Sequence, residues 1–336
     1  MKITFVRPRL ELQPYIESFW VFESATGLPD TDSNVVVPNG CSKLIIPYDN
    51  SIISSALGNV QVSRERRLYF VGNRDSSTLL KSSSRRTGFI TIEFCPNGAF
   101  PIFGIPMSKT FNGLWDGDDL FARWGYEVRE ALSNLECVDQ KLAFIQDELI
   151  ALLRKNACRN PVVEYCVNAL RSADGRIAIR QLAQQTGYSR RYLDQLFKQH
   201  VGLPPKVLAG VFRFQKFYRR WAGGQSFDAL KSDLYEDYYD QSHFIKEFRK
   251  MTGYAPRKFT REIGNEFGRR ISVSGSSPFY NNRAATLGRM SGAVLLGIPA
   301  RNSSRSGLRA EQALRRQKCR GRLSACIARR FDGRCR

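Results

Sequence analysis

The sequence predicts an α+β multidomain chain: a β-rich front half, then an all-α domain with two helix-turn-helix units, then a basic tail. Three observations predict it. Short β-branched and aromatic runs separated by turn residues fill residues 35–94, helical periodicity replaces them from about residue 127, and the charge changes character along the chain. Residues 1–160 balance 18 basic against 18 acidic residues, residues 161–263 carry 18 against 10, and residues 272–336 carry 14 against 2. With 336 residues and a formal charge of +21, the chain exceeds one small domain and calls for an anionic polymer as partner of its back half.

The hydrophobic content of 42% supports a core, and no apolar run reaches the roughly 18 to 20 residues of a membrane span. The start, Met1-Lys-Ile-Thr-Phe-Val-Arg, has no secretory leader, so a cytoplasmic location without membrane contact is expected. Eight cysteines show neither CxxC pairs nor zinc spacing, and both histidines, His200 and His243, lie behind the front half. A metal site, a cofactor and a hydrolytic triad are therefore not expected, and the catalytic assignment is none.

In the front half, Val35-Val36-Val37, Leu44-Ile45-Ile46, Leu68 to Val71 and Phe89 to Phe94 read as strands between Pro-Asn-Gly, Tyr-Asp-Asn and Gly-Asn turns, forming a sandwich or a small barrel. Ile90, Ile92 and Phe94 alternate with Thr91 and Glu93, as in a strand with one buried face. Helices carrying Val128, Leu132, Leu135, Leu142, Ile145, Leu149 and Leu152 follow, either packing on the β-domain or pairing between protomers.

Asn160-Pro161 is a cap followed by proline at the first helical position, and it opens the next domain. A short helix from Ile179, a turn at Thr186-Gly187-Tyr188 and a second helix capped by Ser189 form a helix-turn-helix. A long helix from Lys206 to about Ala222 leads to a repeat: a helix from Phe227 to about Tyr235, a turn, and a helix from Gln241 to Met251. "Leu-Phe-Lys-Gln-His-Val-Gly-Leu-Pro-Pro" and "Glu-Phe-Arg-Lys-Met-Thr-Gly-Tyr-Ala-Pro" are copies about 51 residues apart.

Gly187-Tyr-Ser-Arg-Arg-Tyr-Leu-Asp-Gln-Leu-Phe-Lys198 with Gly202-Leu-Pro-Pro, and Tyr238-Tyr-Asp-Gln-Ser-His-Phe-Ile-Lys-Glu-Phe-Arg249 with Thr252-Gly-Tyr-Ala-Pro256, resemble the paired motifs of the AraC/XylS transcription regulators over about residues 162–262. The front half, through Pro38-Asn-Gly and Ile92 to Pro106, is similar to the cupin-like effector domain of one subgroup, which implies a cupin-like barrel. Asp237 departs from the pattern by standing where the family has Gly, and Asp takes a left-handed turn less readily.

An α-helix in the major groove reads bases with residues at i, i+1, i+4 and i+5 near its start. In the first copy these are Arg190, Arg191, Asp194 and Gln195, opposite the apolar Leu193, Leu196 and Phe197; in the second they are Gln241, Ser242, Ile245 and Lys246. Arg191 suits guanine, Gln195 adenine, Asp194 cytosine, Ile245 a thymine methyl, and Lys246 guanine or phosphate. The family carries its base contacts at these positions. Phosphate contact is expected from some of Arg213, Lys216, Arg219 and Arg220 on the long helix, whose aromatic residues are core. His200 reads as a cation-capable helix end and His243 as a packing or capping residue.

The resemblance implies four regions: 1–115, a β-rich effector domain; 116–160, a helical linker or dimerisation segment; 161–263, the double helix-turn-helix; and 264–336, a basic tail expected to lack fixed structure. The expected function is sequence-specific transcription regulation through double-stranded DNA, with RNA polymerase, a small-molecule effector and a second copy of the chain as further partners. Trp20, Phe22, Tyr48, Phe94 and Trp115 are candidates for lining an effector pocket, with the core as their other use. The tail, with 13 Arg and one Lys after residue 271, reads as a non-evolved extension or as a non-specific DNA arm. Two alternatives remain at this stage: an enzyme with an accessory DNA module, and an architectural protein without base specificity.

Overall fold

The computed structural model describes residues 1–29, 34–56, 58–83, 85–156, 158–227, 229–230, 238, 240–263 and 265–274. The expectations for Asp237, for most of the helix before it and for the tail beyond residue 274 lie outside the described residues.

Among the described residues the front half contains ten strands: β1 (Lys2–Val6), β2 (Ile16–Ser24), β3 (Val35–Val36), β4 (Lys43–Asp49), β5 (Ile52–Ala56), β6 (Asn59–Ser63), β7 (Tyr69–Val71), β8 (Thr78–Ser82), β9 (Thr87–Phe94) and β10 (Leu114–Asp116). They form two antiparallel sheets, ordered β1-β2-β9-β4-β7-β10 and β3-β8-β5-β6. The expected barrel is thus an unclosed pair of sheets.

β9 corrects a second expectation. All eight of its residues are buried, because it is a central strand with both faces covered. Ile90, Ile92 and Phe94 join Phe19, Val21, Leu44 and Phe70 in a core completed by helices α1 (Ala99–Phe103), α3 (Arg123–Ser133) and α4 (Val138–Asn156), with α2 (Gly117–Phe121) beside them. The residues between them lie on the face toward the second sheet; on that face Trp20 of β2 pairs in register with Thr91 and Phe22 with Phe89. Within this chain, then, the helices of 116–160 cover the β-domain.

The back half runs through α5 (Pro161–Ser172), α6 (Ile179–Thr186), α7 (Arg190–His200), α8 (Pro205–Ala222), α9 (Gln241–Thr252), α10 (Pro256–Glu262) and α11 (Glu266–Ser274). The Asn160 side chain accepts from the N–H groups of Val162 and Val163 at 3.1 Å, and Ser189 Oγ accepts from Tyr192 N–H at 3.2 Å. Gly187 ends α6 at φ +69°, a conformation open to glycine at little cost. Helix α8 serves two cores. Leu208, Ala209 and Phe212 pack with Leu182, Leu193 and Phe197, while Phe214, Phe217 and Tyr218 pack with Phe244, Phe248 and Phe259.

Residues 265–274 correct the placement of the tail. Phe267 is fully buried and Glu266 pairs with Arg270 at 2.7 Å, so apolar i, i+4 spacing and an ion pair make this segment α11, part of the folded body.

Front and back halves lie in one unit of the fold. Asn265, at φ +46° and fully buried, accepts from Val35 N–H at 2.8 Å and donates to Val35 O and Tyr218 Oη at 2.9 Å. Gln215 donates to Pro38 O and Asn73 to Val201 O, both at 2.6 Å. Arg171 pairs with Glu17, and Lys250 with Asp75 at 2.8 Å.

Candidate nucleic-acid interface and effector cavity

Amphipathic packing decides which side of each reading helix meets water. On α7, Leu193, Leu196 and Phe197 are buried while Arg190, Arg191 and Gln195 are exposed and Asp194 is half-buried. On α9, Phe244, Phe248 and Met251 are buried, and Gln241, Ser242 and Lys246 are exposed. Ile245 is half-buried against the aromatic core, so it offers less to a base than its helix position predicts.

Both helix starts are built by capping. Ser189 holds the first, and Asp240 Oδ1 accepts from His243 N–H at 2.7 Å in the second. His243 therefore sits in the first turn of α9, its ring 5.5 Å from Tyr238 in edge contact. The seat of α9 on α8 is equally specific: a Cβ on Gly210 would come within 2.3 Å of Glu247 Oε1, and Glu247 faces Arg213 at 3.7 Å. Arg213 also donates to Gly175 O at 3.1 Å, which turns one of the expected phosphate-binding cations into a structural contact.

His200 departs from its expected role as a charged helix end. It is buried at the end of α7 with its ring 4.2 Å from that of Phe100, and desolvation pushes its pKa down to about 4. The residue is a neutral contact between the halves.

A cavity of about 80 Å³ lies between the two sheets. Trp20, Ile45 and Phe89 come from one sheet, Val36, Ile52 and Leu80 from the other, and Ile271 from α11 of the back half. Of the five aromatic residues expected there, Trp20 lines it. Phe22 instead stacks on Phe89 at 4.8 Å, Phe94 lies in the opposite core, Tyr48 packs over Gly88 and Trp115 is exposed. Alternation alone does not say which of a buried strand's two faces meets the cavity.

The polar wall of the cavity includes Lys43, Arg74, Ser76 and Thr91. Lys43 is satisfied by Glu93 at 3.3 Å, Asn39 Oδ1 at 3.0 Å and Cys41 O at 3.2 Å. Arg74 Nε, Ser76 Oγ and Thr91 Oγ1 are buried without a hydrogen-bond partner. Burial pulls the Arg74 pKa down from its ordinary value. Sequence reasoning missed Arg74, which belongs to no motif, and missed Ile271 and Phe267, whose i, i+4 spacing was the available signal. Among the described residues, no group of three His, Cys, Asp or Glu side chains could hold a metal ion, and no helix is long and apolar enough to cross a membrane.

Comparison with known proteins falls along the same division. Residues 4–114 match the family model of a domain of unknown function, DUF6597, and residues 182–262 match that of a helix-turn-helix domain. No curated protein matches the chain in sequence. Among solved structures, the chain is similar to ToxT from Vibrio cholerae at 11% identity and TM-score 0.39, covering 73% of this chain and 98% of that one. It is also similar to Vibrio cholerae ToxT bound to (E)-4-(8-methylnaphthalen-1-yl)but-3-enoic acid, at 13% identity and TM-score 0.40, covering 71% and 96%. The AraC-like transcriptional activator CuxR is similar at 18% identity and TM-score 0.22, covering 64% and 78%. The matched model covers the segment that carries both motifs, so residues 182–262 form a helix-turn-helix domain of the kind the paired motifs resemble.

Proposed function

We propose that the protein is a sequence-specific transcription regulator whose two reading helices enter adjacent major grooves under the control of a small molecule held between the front sheets. One observation carries the reading: α7 and α9 both bury their apolar sides, α7 beside and α9 on the shared α8, and leave Arg190, Arg191, Gln195, Gln241, Ser242 and Lys246 in solvent. Helices so mounted read sites about 10 bp apart, giving an asymmetric operator within one chain. Arg191 and Gln195 supply bidentate contacts to guanine and adenine, Asp194 an acceptor for cytosine, and Lys246 a contact to guanine or phosphate. Ile245 adds an apolar edge.

The effector site is the cavity between the sheets. Its occupancy reaches the DNA module through Ile271, and through Asn265, which joins Val35 to Tyr218 of α8. RNA polymerase and a second copy of the chain are the remaining proposed partners, in the cytoplasm. Catalysis has no place in this reading. Burial pushes the Cys41 thiol up and the Cys166 thiol up to about 12, so neither is a thiolate at neutral pH.

Selection of genomic fragments by the full chain, with Arg191→Ala plus Lys246→Ala as control, tests the reading. The expected result is one asymmetric motif with two blocks about 10 bp apart, weakened by the double variant. Binding without a motif, steeply salt-dependent and indifferent to both substitutions, makes the protein architectural instead.

A further inference from the structure

We propose that Arg213 and Glu247 are positioning residues that fix the spacing of the two operator blocks, by tying both helix-turn-helix units to one turn of α8. The assignment rests on the reading of the chain as a DNA reader with two heads and names the side chains that hold those heads at one separation.

The ties converge on neighbouring residues of α8. On the side of the first unit, Gly175 stands in the turn between α5 and α6, where a Cβ would come within 2.0 Å of Ala209 O. One residue further on, Gly210 leaves the room that the Glu247 carboxylate of α9 fills. Residues 209 and 210 thus meet one unit each. Arg213, about one helical turn on, reaches both. Its Nη1 donates to Gly175 O at 3.1 Å, and its Nη2 faces Glu247 Oε2 at 3.7 Å. The guanidinium also lies over the ring of Tyr238, 5.7 Å from the centroid, ahead of the first turn of α9.

Burial sets this ion pair apart from a surface one. The side chains of Arg213 and Glu247 are 21% and 12% exposed, so water screens their attraction less than at the surface. Glu247 Oε2 is buried and has no hydrogen-bond partner among the described residues, and it faces Arg213 together with the His243 ring at 3.9 Å. The aromatic core around Phe217, Phe244 and Phe248 holds α9 on α8, but apolar attraction is non-directional and prescribes no single angle. A planar guanidinium with one end on each unit is directional. Packing supplies the adhesion, and Arg213 supplies the angle.

DNA makes that angle measurable, because one added base pair moves a block by about 3.4 Å and about a tenth of a turn. Heads held at one separation accept one spacing, whereas loosely held heads accept several.

The test uses the full chain and duplexes carrying the two blocks it selects, at the selected spacing and with one or two base pairs added or removed. The parent is expected to lose at least about tenfold in affinity at each altered spacing, the scale of a lost base contact. Glu247→Gln, which keeps the shape and removes the charge, and Arg213→Gln should bind the altered spacings within about threefold of the selected one, with the sequence of each block unchanged. Arg213→Lys, a cation without the planar fork, should fall between them and the parent. Gly210→Ala should broaden the spacing by displacing the Glu247 carboxylate, and since Ala is the better helix former this cannot come from a weakened α8. Val167→Ala thins the first core without touching Arg213 or Glu247, and should keep the spacing of the parent.

A spacing as narrow in Glu247→Gln and Arg213→Gln as in the parent overturns the assignment. Broadening by Val167→Ala also overturns it, because loss of stability would then suffice. Uniformly weaker binding by Arg213→Gln, with a shallower salt dependence and an unchanged spacing, makes Arg213 a phosphate contact instead. A parent that selects two blocks but tolerates every spacing refutes the positioning role alone, whereas a parent that selects no two-block motif refutes the two-headed reading itself.

Discussion

The two reading helices share one scaffold and differ in almost everything attached to it. Helix α7 packs on a mostly aliphatic core of Val163, Leu170, Leu182 and Leu208 with Phe212, whereas α9 packs mainly on rings, Phe214, Phe217 and Phe259 beside its own Phe244 and Phe248. The reading face of α7 carries three charged side chains and a glutamine; that of α9 carries one charge, two neutral polar groups and a half-buried isoleucine. Their ties to the front half differ as well, a neutral histidine for α7 and an asparagine fork plus an ion pair for the region of α9. A duplicated motif therefore preserves a capped helix with one buried side, while its two copies differ in the chemistry of their exposed faces and in their ties to the front half.

The comparison breaks most sharply in the cores. Phe248→Ala should cost about 3–5 kcal/mol, the range for truncating a buried aromatic residue, and should loosen α9 before α7. Chemical denaturation gives the magnitude, and amide hydrogen exchange shows which helix opens.

A second break is pH. His200 binds its proton near pH 4 when folded and near 6.5 when unfolded, so between those values the unfolded chain holds more protons. Stability should be at full strength above about pH 6.5 and fall by on the order of 3 kcal/mol as pH drops toward 4. Urea denaturation of the parent and of His200→Gln across that window checks this, with a flatter pH dependence expected for the variant.

The tie near α9 is smaller and independent of this titration. Asn265→Ala leaves Val35 N–H and Tyr218 Oη without Asn265 as a partner and should cost about 1–3 kcal/mol in urea denaturation. The finest comparison is between the caps: Ser189→Ala and Asp240→Ala should each cost about 1 kcal/mol. Thermal melting ranks them, and equal losses would show that both helices begin with the same capping energy despite their different cores.

Local features were legible in the sequence. Asn160-Pro161, Gly187 and Ser189 act through short-range hydrogen bonds and backbone angles, so their roles follow from neighbours a few positions away. The exposed faces of α7 and α9 followed from the same periodicity. What escaped was set at long range. The two faces of β9 depend on α4 and on the second sheet, separately encoded elements, and the open arrangement of the sheets depends on strand order. That Arg74 Nε is buried among strands far apart in sequence, without a hydrogen-bond partner among the described residues, is nothing residue spacing can reveal. Phe267 and Ile271 offer only a two-residue apolar signal, too short to set α11 apart from the tail that follows.

That last residue carries a consequence for how such a protein could be divided. Phe267 reaches back across the molecule to sit against Trp20 and Phe22, with ring centroids 6.4 and 5.5 Å away. A fragment ending after the helix-turn-helix would leave an oily slot unplugged in the front half and a dangling hook on the other piece. The two halves fit as a lock and bolt, and joining either one to a foreign counterpart would require a replacement for this ring.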